Sequence, residues 1–95
     1  MAKGKIRGNY SLMKYQCPCC GNYTLPDKPA GTYYICKVCY WEDDNVQYAD
    51  PDYRGGANEE SLNQARRNYK EFGVSDKRFL DKVRKPLYEE LPENN

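Results

Sequence analysis

The 95-residue sequence lacks histidine altogether, has little aliphatic material and carries almost no net charge. Without histidine, the commonest general base of enzymes is absent. Leu, Ile, Val and Phe together supply 14 residues, too few for a thick hydrophobic core, so the fold needs another source of stability. The net charge of +1 excludes the strong positive excess that is typical of nucleic-acid-binding domains.

Long apolar runs are also missing. No stretch approaches the roughly 18 apolar residues of a membrane span, and the basic N-terminal stretch lacks the apolar run of a signal peptide. Five cysteines, an odd number with metal-like spacing, suit a reducing compartment better than a disulfide scaffold. We therefore expect a cytoplasmic protein without membrane contact. Because no catalytic side-chain pattern is visible, we also expect that it is not an enzyme.

Four of the cysteines form a spaced pattern, C-x₂-C-x₁₅-C-x₂-C, which lies within the range of zinc ribbons. Two residues between the cysteines of a pair allow a tight backbone turn, a knuckle, that points both sulfurs at one metal ion and amide N–H groups at the first sulfur. The predicted metal ligands are Cys17, Cys20, Cys36 and Cys39.

The fifth cysteine, Cys19, is the spare one in this pairing. Pro18 fixes φ just after the first ligand, and Gly21 can adopt a left-handed conformation just after the second. A Cys17-x-Cys19 chelate is the rival arrangement, but it gives the glycine no role. We expect Cys19 to point away from the metal as a surface thiol.

The second pair departs from the ideal knuckle, because Tyr40 stands where a glycine is expected. A bulky residue at positive φ is disfavoured, so either the geometry differs or Tyr40 accepts strain. Four thiolates suit zinc or iron. A site with four protein ligands has no open position, so we predict structural Zn²⁺, with iron as the alternative.

The overall expectation is a small α+β fold: a zinc-ribbon or rubredoxin-like β-hairpin with two knuckles, followed by one longer and one shorter C-terminal helix. Residues 1–12 are expected to form a basic flexible arm, residues 13–86 one zinc-stapled domain, and residues 87–95 a tail. Within the domain we distinguish a metal hairpin at 13–40, an acidic loop at 41–57 and helices at 58–86.

Residue types predict the bounds of these elements. Strands are expected at 24–25 and 32–36, joined by a turn at 26–31. The longer helix is predicted to have Asn58 as its N-cap and Gly73 just past its C-terminal end, with Leu62, Ala65, Tyr69 and Phe72 as its apolar stripe. The shorter helix would be capped by Ser75 or Asp76, carry Phe79, Leu80 and Val83, and be stopped by Pro86.

The acidic loop is the candidate interaction surface. Aromatic residues among acids suit contact with a basic partner protein. The candidate contact residues are Trp41, Glu42, Asp43, Asp44, Tyr48 and Tyr53. The simpler alternative is a solvated acidic loop with Trp41 packed on the hairpin. Arg66 flanks the apolar stripe of the longer helix and is predicted to pair with one of the acids at 42–44.

Several blocks resemble one known family. "CPCCG", "CYWEDD", "GGAN" and "SLNQAR" occur in this order between about Tyr15 and Ser75, as in the cysteine-rich CPCC domain family. Lys37 departs from the pattern, where a second proline is expected. The resemblance implies a small bacterial protein, and its association with toxin and defence genes implies an immunity or accessory role.

Three functions follow as hypotheses. The first is a zinc-stapled module that binds another protein, such as an inhibitor of a toxin or enzyme. The second is a nucleic-acid-binding zinc ribbon, because residues 66–85 carry eight bases and three acids. The third is rubredoxin-like electron transfer through iron. We favour the first, because nucleic acid would be repelled by the acids next to the second cysteine pair, and the "CKVCY" knuckle fits rubredoxin poorly.

Overall fold

Two short antiparallel strands begin the described part of the protein, residues 14–95 of a computed structural model. Strand β1, Tyr15–Gln16, pairs with strand β2, Tyr23–Leu25, with a register irregularity in β1. The first cysteine pair lies between these strands. The predicted arm at residues 1–12 lies outside the described residues.

The predicted pairing of residues 24–25 with 32–36 is wrong. Leu25 pairs with Tyr15 instead, and Ile35 forms an isolated antiparallel bridge with Glu42. Tyr33 donates its backbone N–H to the Asp43 carbonyl at 2.9 Å. The reason is local: each knuckle reverses the chain, so the residues on its two sides meet one another. The fold therefore has one short hairpin around each cysteine pair.

The segment 41–57 was expected to be an irregular acidic loop, but it contains a helix. Helix α1, Asn45–Ala49, begins after Asp44, whose side chain accepts a hydrogen bond from the Val46 N–H at 2.7 Å. Asp43 accepts hydrogen bonds from the Thr32 N–H and hydroxyl at 3.0 and 2.7 Å. These two carboxylates therefore organise the backbone.

Gln47 on α1 is fully buried and holds the chain that follows it. Its Nε2 group donates to the backbone carbonyls of Tyr53, Asn58 and Glu60 at 3.0, 3.1 and 3.0 Å. Its Oε1 atom accepts from the backbone and side-chain amides of Asn58 at 3.1 and 2.9 Å. The backbone of residues 53–60 is therefore held in place by hydrogen bonds to one buried side-chain amide.

The glycine at position 56 belongs to the same arrangement. A Cβ atom at Gly56 would lie 2.6 Å from Oδ2 of Asp44, which accepts the Ala57 N–H at 2.7 Å. Asn58 also bonds both backbone polar groups of Glu42. The "GGAN" block therefore closes the 41–60 segment by close backbone approach and backbone hydrogen bonds.

Helix α2, Leu62–Phe72, starts three residues later than predicted. The Asn58 side chain is hydrogen-bonded to Glu42 and Gln47, so it does not cap the helix. Ser61 caps it instead, because its hydroxyl accepts the Gln64 N–H at 3.1 Å. The predicted end is correct: Gly73 has φ 81 and donates its N–H to the Tyr69 carbonyl at 2.8 Å. Leu62 and Ala65 are fully buried in a core that they share with Leu25, Val38, Trp41 and the cysteines.

The predicted second helix is wrong. A single 3₁₀ turn, Lys77–Phe79, follows the Asp76 cap, and Leu80 is 55% exposed. The backbone on either side bonds to the second knuckle instead. Ser75 donates its N–H to the Cys39 carbonyl at 2.7 Å, and Arg84 donates its N–H to the Lys37 carbonyl at 3.2 Å. These tertiary bonds compete with helical ones.

Residues 87–95, where a tail was expected, contain two 3₁₀ turns, Tyr88–Glu90 and Pro92–Asn94. The buried Glu90 carboxylate accepts from the two terminal nitrogens of Arg84 at 2.8 and 2.9 Å and from the Leu87 N–H at 2.8 Å. Burial raises the pKa of Glu90, but the hydrogen bonds from Arg84 and Leu87 outweigh it, so the pKa lies below its usual value.

Among residues 14–95, no helix is both long enough and apolar enough to cross a membrane.

Replacing Gln47 with Met should destabilise the protein by about 3 kcal/mol or more, because the carbonyls of three residues lose their donor. Urea denaturation of the metal-loaded protein measures this. Val46→Met, at an exposed position of the same helix, is the control and should change little. Equal effects of the two substitutions would contradict the role of the buried amide.

Glu90→Gln should lower the free energy of unfolding by about 2 kcal/mol at neutral pH, since it removes charge-assisted bonds to Arg84. The exposed neighbour Glu89, changed to Gln, is the control. Because the folded-state pKa is lowered, the contribution is complete above the unfolded-state pKa of about 4.3 and is lost as pH falls through the folded value. A difference between the two variants that does not shrink at low pH would argue against the pair.

Candidate metal centre

The two cysteine pairs lie on knuckles with the same backbone hydrogen bonds. In the first, Cys17 donates its N–H to the Asn22 carbonyl and accepts the Gly21 N–H, both at 2.9 Å. In the second, Cys36 donates to the Trp41 carbonyl at 2.9 Å and accepts the Tyr40 N–H at 2.8 Å. The second knuckle therefore repeats the first at an offset of 19 residues.

Tyr40 adopts the conformation that a glycine would adopt. Its φ is 69°, compared with 81° for Gly21 at the matching position of the first knuckle. The geometry is thus retained and the strain accepted. The Tyr40 ring packs on Phe79 with centroids 4.5 Å apart, a contact that glycine could not make and that opposes the cost of positive φ.

The four predicted ligands meet in one cluster. The Sγ atoms of Cys17 and Cys39 are 3.6 Å apart, and those of Cys20 and Cys36 are 3.7 Å apart. All four Sγ atoms lie within 4.8 Å of one another. A tetrahedral zinc site with Zn–S bonds of about 2.3 Å has sulfur–sulfur edges of about 3.8 Å. The cluster could therefore hold one metal ion of this size.

The sulfur of Cys36 takes part in more hydrogen bonds than the other three sulfurs of the cluster. It lies 3.0 Å from the Thr24 hydroxyl and accepts the Val38 N–H at 3.4 Å, the amide-to-sulfur bond expected of a knuckle. Bonds from the other three cysteines, and then from Thr24, lower the pKa of Cys36. Burial and contacts with the neighbouring thiols raise the pKa of Cys39. A bound cation would favour the thiolate at all four positions.

The cluster is almost closed to solvent. Cys17, Cys36 and Cys39 are buried, and Cys20 alone of the four is partly exposed. With four sulfurs in place there is no free ligand position, which is the arrangement of structural metal sites. The Tyr69 hydroxyl accepts a hydrogen bond from Asn22 at 3.2 Å, so helix α2 is attached to the first knuckle.

The prediction that Cys19 is a surface thiol is wrong, because Cys19 is 8% exposed and belongs to the hydrophobic core. The correspondence between the two knuckles, at an offset of 19 residues, explains why Cys19 is buried. Residue 19 of the first knuckle corresponds to residue 38 of the second, where Val38 is 2% exposed. Cys19 therefore fills the place of a small apolar side chain. The valine at the matching position was the sequence feature that could have indicated burial.

Three of the six predicted interaction residues lie in the interior of the protein. Trp41, Asp43 and Asp44 are buried, so they cannot form a contact with a partner. Trp41 lies in the core, as the simpler alternative held, and the two carboxylates bond to nearby backbone. Glu42 is half-buried, while Tyr48 and Tyr53 are exposed.

The predicted ion pair of Arg66 is also wrong. Arg66 donates from Nε to the Pro18 carbonyl at 3.0 Å and from a terminal nitrogen to the Asn63 side chain at 3.3 Å. In the described part of the chain it has no ion pair with the acids at 42–44. Asp43 and Asp44 are held by Thr32 and by the 44–57 backbone, which leaves Arg66 to attach α2 to the first knuckle.

The comparison with known families agrees with the resemblance noted above. The model of the family described as cysteine-rich CPCC matches residues 15–90. The match reaches beyond the blocks that end near Ser75 and includes Glu90, which Arg84 holds in place. No curated protein matches the chain.

Serine at Cys17, Cys20, Cys36 or Cys39 should abolish metal binding and unfold the hairpins, because the site and the thin core form together. Cys19→Val, which copies the second knuckle, should retain one metal ion per chain. Elemental analysis and circular dichroism of the purified variants test both statements. Loss of metal in Cys19→Val together with retention in Cys20→Ser would reverse the ligand assignment.

Proposed function

The chain belongs to the cysteine-rich CPCC family, and from this premise we propose that it is a structural-zinc module that binds another protein and catalyses no reaction. The observation that carries the proposal is the closed cluster of four cysteine sulfurs. Zinc is the metal of choice for such a site, because it is redox-inert and takes four thiolates in a tetrahedral arrangement. Iron would use the same ligands, and metal analysis of protein from native cells distinguishes the two.

A structural role is supported by the connections of the knuckles to the rest of the chain. Helix α2 reaches the first knuckle through Arg66, and the 75–84 segment reaches the second through Ser75 and Arg84. The core itself is small. A metal ion at the cluster would therefore stabilise both hairpins and the segments attached to them, as structural zinc does in other small domains.

Protein binding is supported by the tyrosines. Six of the nine tyrosines in residues 14–95 are exposed, and they lie on several elements of the fold: Tyr15, Tyr33, Tyr34, Tyr48, Tyr53 and Tyr88. Exposed tyrosines combine a large apolar ring with a polar hydroxyl and are frequent anchors of protein interfaces. The immunity or accessory role implied by the family resemblance is the finer form of this proposal.

The test is a pull-down with the metal-loaded protein from cells of its source, followed by mass spectrometry. We expect a specific protein that is lost with Tyr48→Ala or Tyr53→Ala, while metal content and melting temperature are unchanged. Tyr88→Ala, at a more exposed tyrosine in the first of the C-terminal 3₁₀ turns, is the control and should retain the partner.

Two outcomes would contradict the proposal. An unchanged set of captured proteins in both variants would show that these tyrosines are not contacts. Nucleic acid bound with micromolar affinity at about 150 mM salt, and weakened by further salt, would favour the nucleic-acid-binding alternative.

A further inference from the structure

A cleft of about 430 Å³ lies beside the first knuckle. Its walls come from β1, the first knuckle, the 26–31 segment and both helices, and they include Tyr15, Pro18, Lys28, Pro29, Tyr48 and Arg66. We refer to it as the knuckle cleft. Cys17 also lines it, but as a metal ligand that faces the cluster.

Among residues 14–95, two cations and no carboxylate line the knuckle cleft. Neither Lys28 nor Arg66 forms an ion pair with an acidic side chain of residues 14–95. Arg66 is half-buried, and its hydrogen-bond acceptors, the Pro18 carbonyl and the Asn63 amide, are neutral. The nearest acid in this network is Asp52, which accepts from the far side of Asn63 at 3.0 Å.

A half-buried guanidinium without a counter-ion favours binding of an anion, because its charge is incompletely hydrated and incompletely neutralised. The Arg66 bonds use Nε and one terminal nitrogen, so the other terminal nitrogen has no partner in the described part of the chain. Lys28 is exposed on the same cleft and adds a second, mobile cation. The polar part of the ligand is therefore anionic.

The walls of the knuckle cleft indicate the rest of the ligand. Tyr15 and Tyr48 are 40% and 48% exposed, and Pro18 and Pro29 add two rigid apolar rings. Such walls suit an apolar or aromatic side chain packed beside the charged group. A peptide that alternates acidic and apolar residues offers both within one short extended segment.

We propose that the knuckle cleft binds an acidic segment of a partner protein, with a carboxylate between Lys28 and Arg66 and an apolar side chain against Tyr15 and Tyr48. This rests on the proposed protein-binding function and states the chemistry of the partner. It reverses the charge expected from the acidic loop, since Asp43 and Asp44 of that loop are buried.

A nucleic acid fits the charges less well. It needs a row of unpaired cations, one for each phosphate neutralised. Two of the eight bases in the 66–85 segment are already paired with acids: Arg78 with Asp76 and Glu59, and Arg84 with Glu90. Two cations in one cleft suit one or two carboxylates.

The experiment is an NMR titration of the full, zinc-loaded, ¹⁵N-labelled chain with a ten-residue probe peptide in which glutamates alternate with tyrosines. Binding with a dissociation constant below about 1 mM is expected, with shifts concentrated on Gln16, Gly21, Lys28 and the Arg66 side chain. A peptide with glutamine in place of glutamate should bind at least about tenfold more weakly.

Charge variants locate the site. Lys28→Glu should weaken the probe about tenfold or more, and Arg66→Gln should do the same. Lys82→Glu makes the same charge change at an exposed lysine of a different cleft and should have little effect. Metal content is measured for each variant. If Arg66→Gln loses zinc, Lys28→Glu still decides the question, because Lys28 is exposed.

Four results would overturn the proposal: equal binding of the glutamine peptide, equal weakening by Lys82→Glu, inorganic phosphate binding as tightly as the peptide, or a ten-nucleotide single-stranded RNA binding more tightly at the same residues. The third would make the cleft a small-anion site and the fourth a nucleic-acid site. If the pull-down captures a partner that Lys28→Glu does not affect, the protein-binding function stands and only this cleft is wrong.

Discussion

Four sulfur atoms that lie within 4.8 Å of one another join the two hairpins, beside a small core that both hairpins share with helix α2. A two-stranded hairpin of this length is not stable alone in water. The rest of the chain is attached at matching points of the two knuckles. The Pro18 carbonyl accepts from Arg66, and the carbonyl of Lys37, 19 residues later, accepts from the backbone of Arg84. The geometry of the sulfur cluster therefore determines where the C-terminal half is positioned.

The acidic segment is ordered mainly by polar side chains. Its carboxylates and the buried Gln47 amide satisfy backbone groups between residues 32 and 60, which a short chain with a small core cannot leave unpaired in its interior. This gives the polar family blocks a structural meaning. The aspartates of "CYWEDD" and the asparagine of "GGAN" hydrogen-bond to backbone groups, and Gly56 allows the chain to approach Asp44 closely. The tyrosines and cations of the proposed knuckle cleft lie outside these two blocks.

How far the sequence predicts this structure depends on the range of the interactions involved. The cysteine spacing identifies the four residues that cluster, and Gly73 marks the end of α2, because both are local rules. The start of α2 at Ser61 depends on Asn58 being occupied by Glu42, a contact across 16 residues. The predicted second helix does not form because the backbone of Ser75 and Arg84 bonds to the second knuckle. Cys19 is buried because it occupies the same place in the first knuckle as Val38 in the second. None of these follows from residue propensity.

The sulfurs differ in accessibility, and this has a kinetic consequence. Cys36 and Cys39 are fully buried, and the backbone of their knuckle is bonded to residues 75 and 84, whereas Cys20 is partly exposed. A chelator, an oxidant or an incoming metal ion therefore meets Cys20 before the other three ligands. Exchange of the metal would proceed from one edge of the site, and its residence time would depend on how often the first hairpin opens rather than on unfolding of the whole domain.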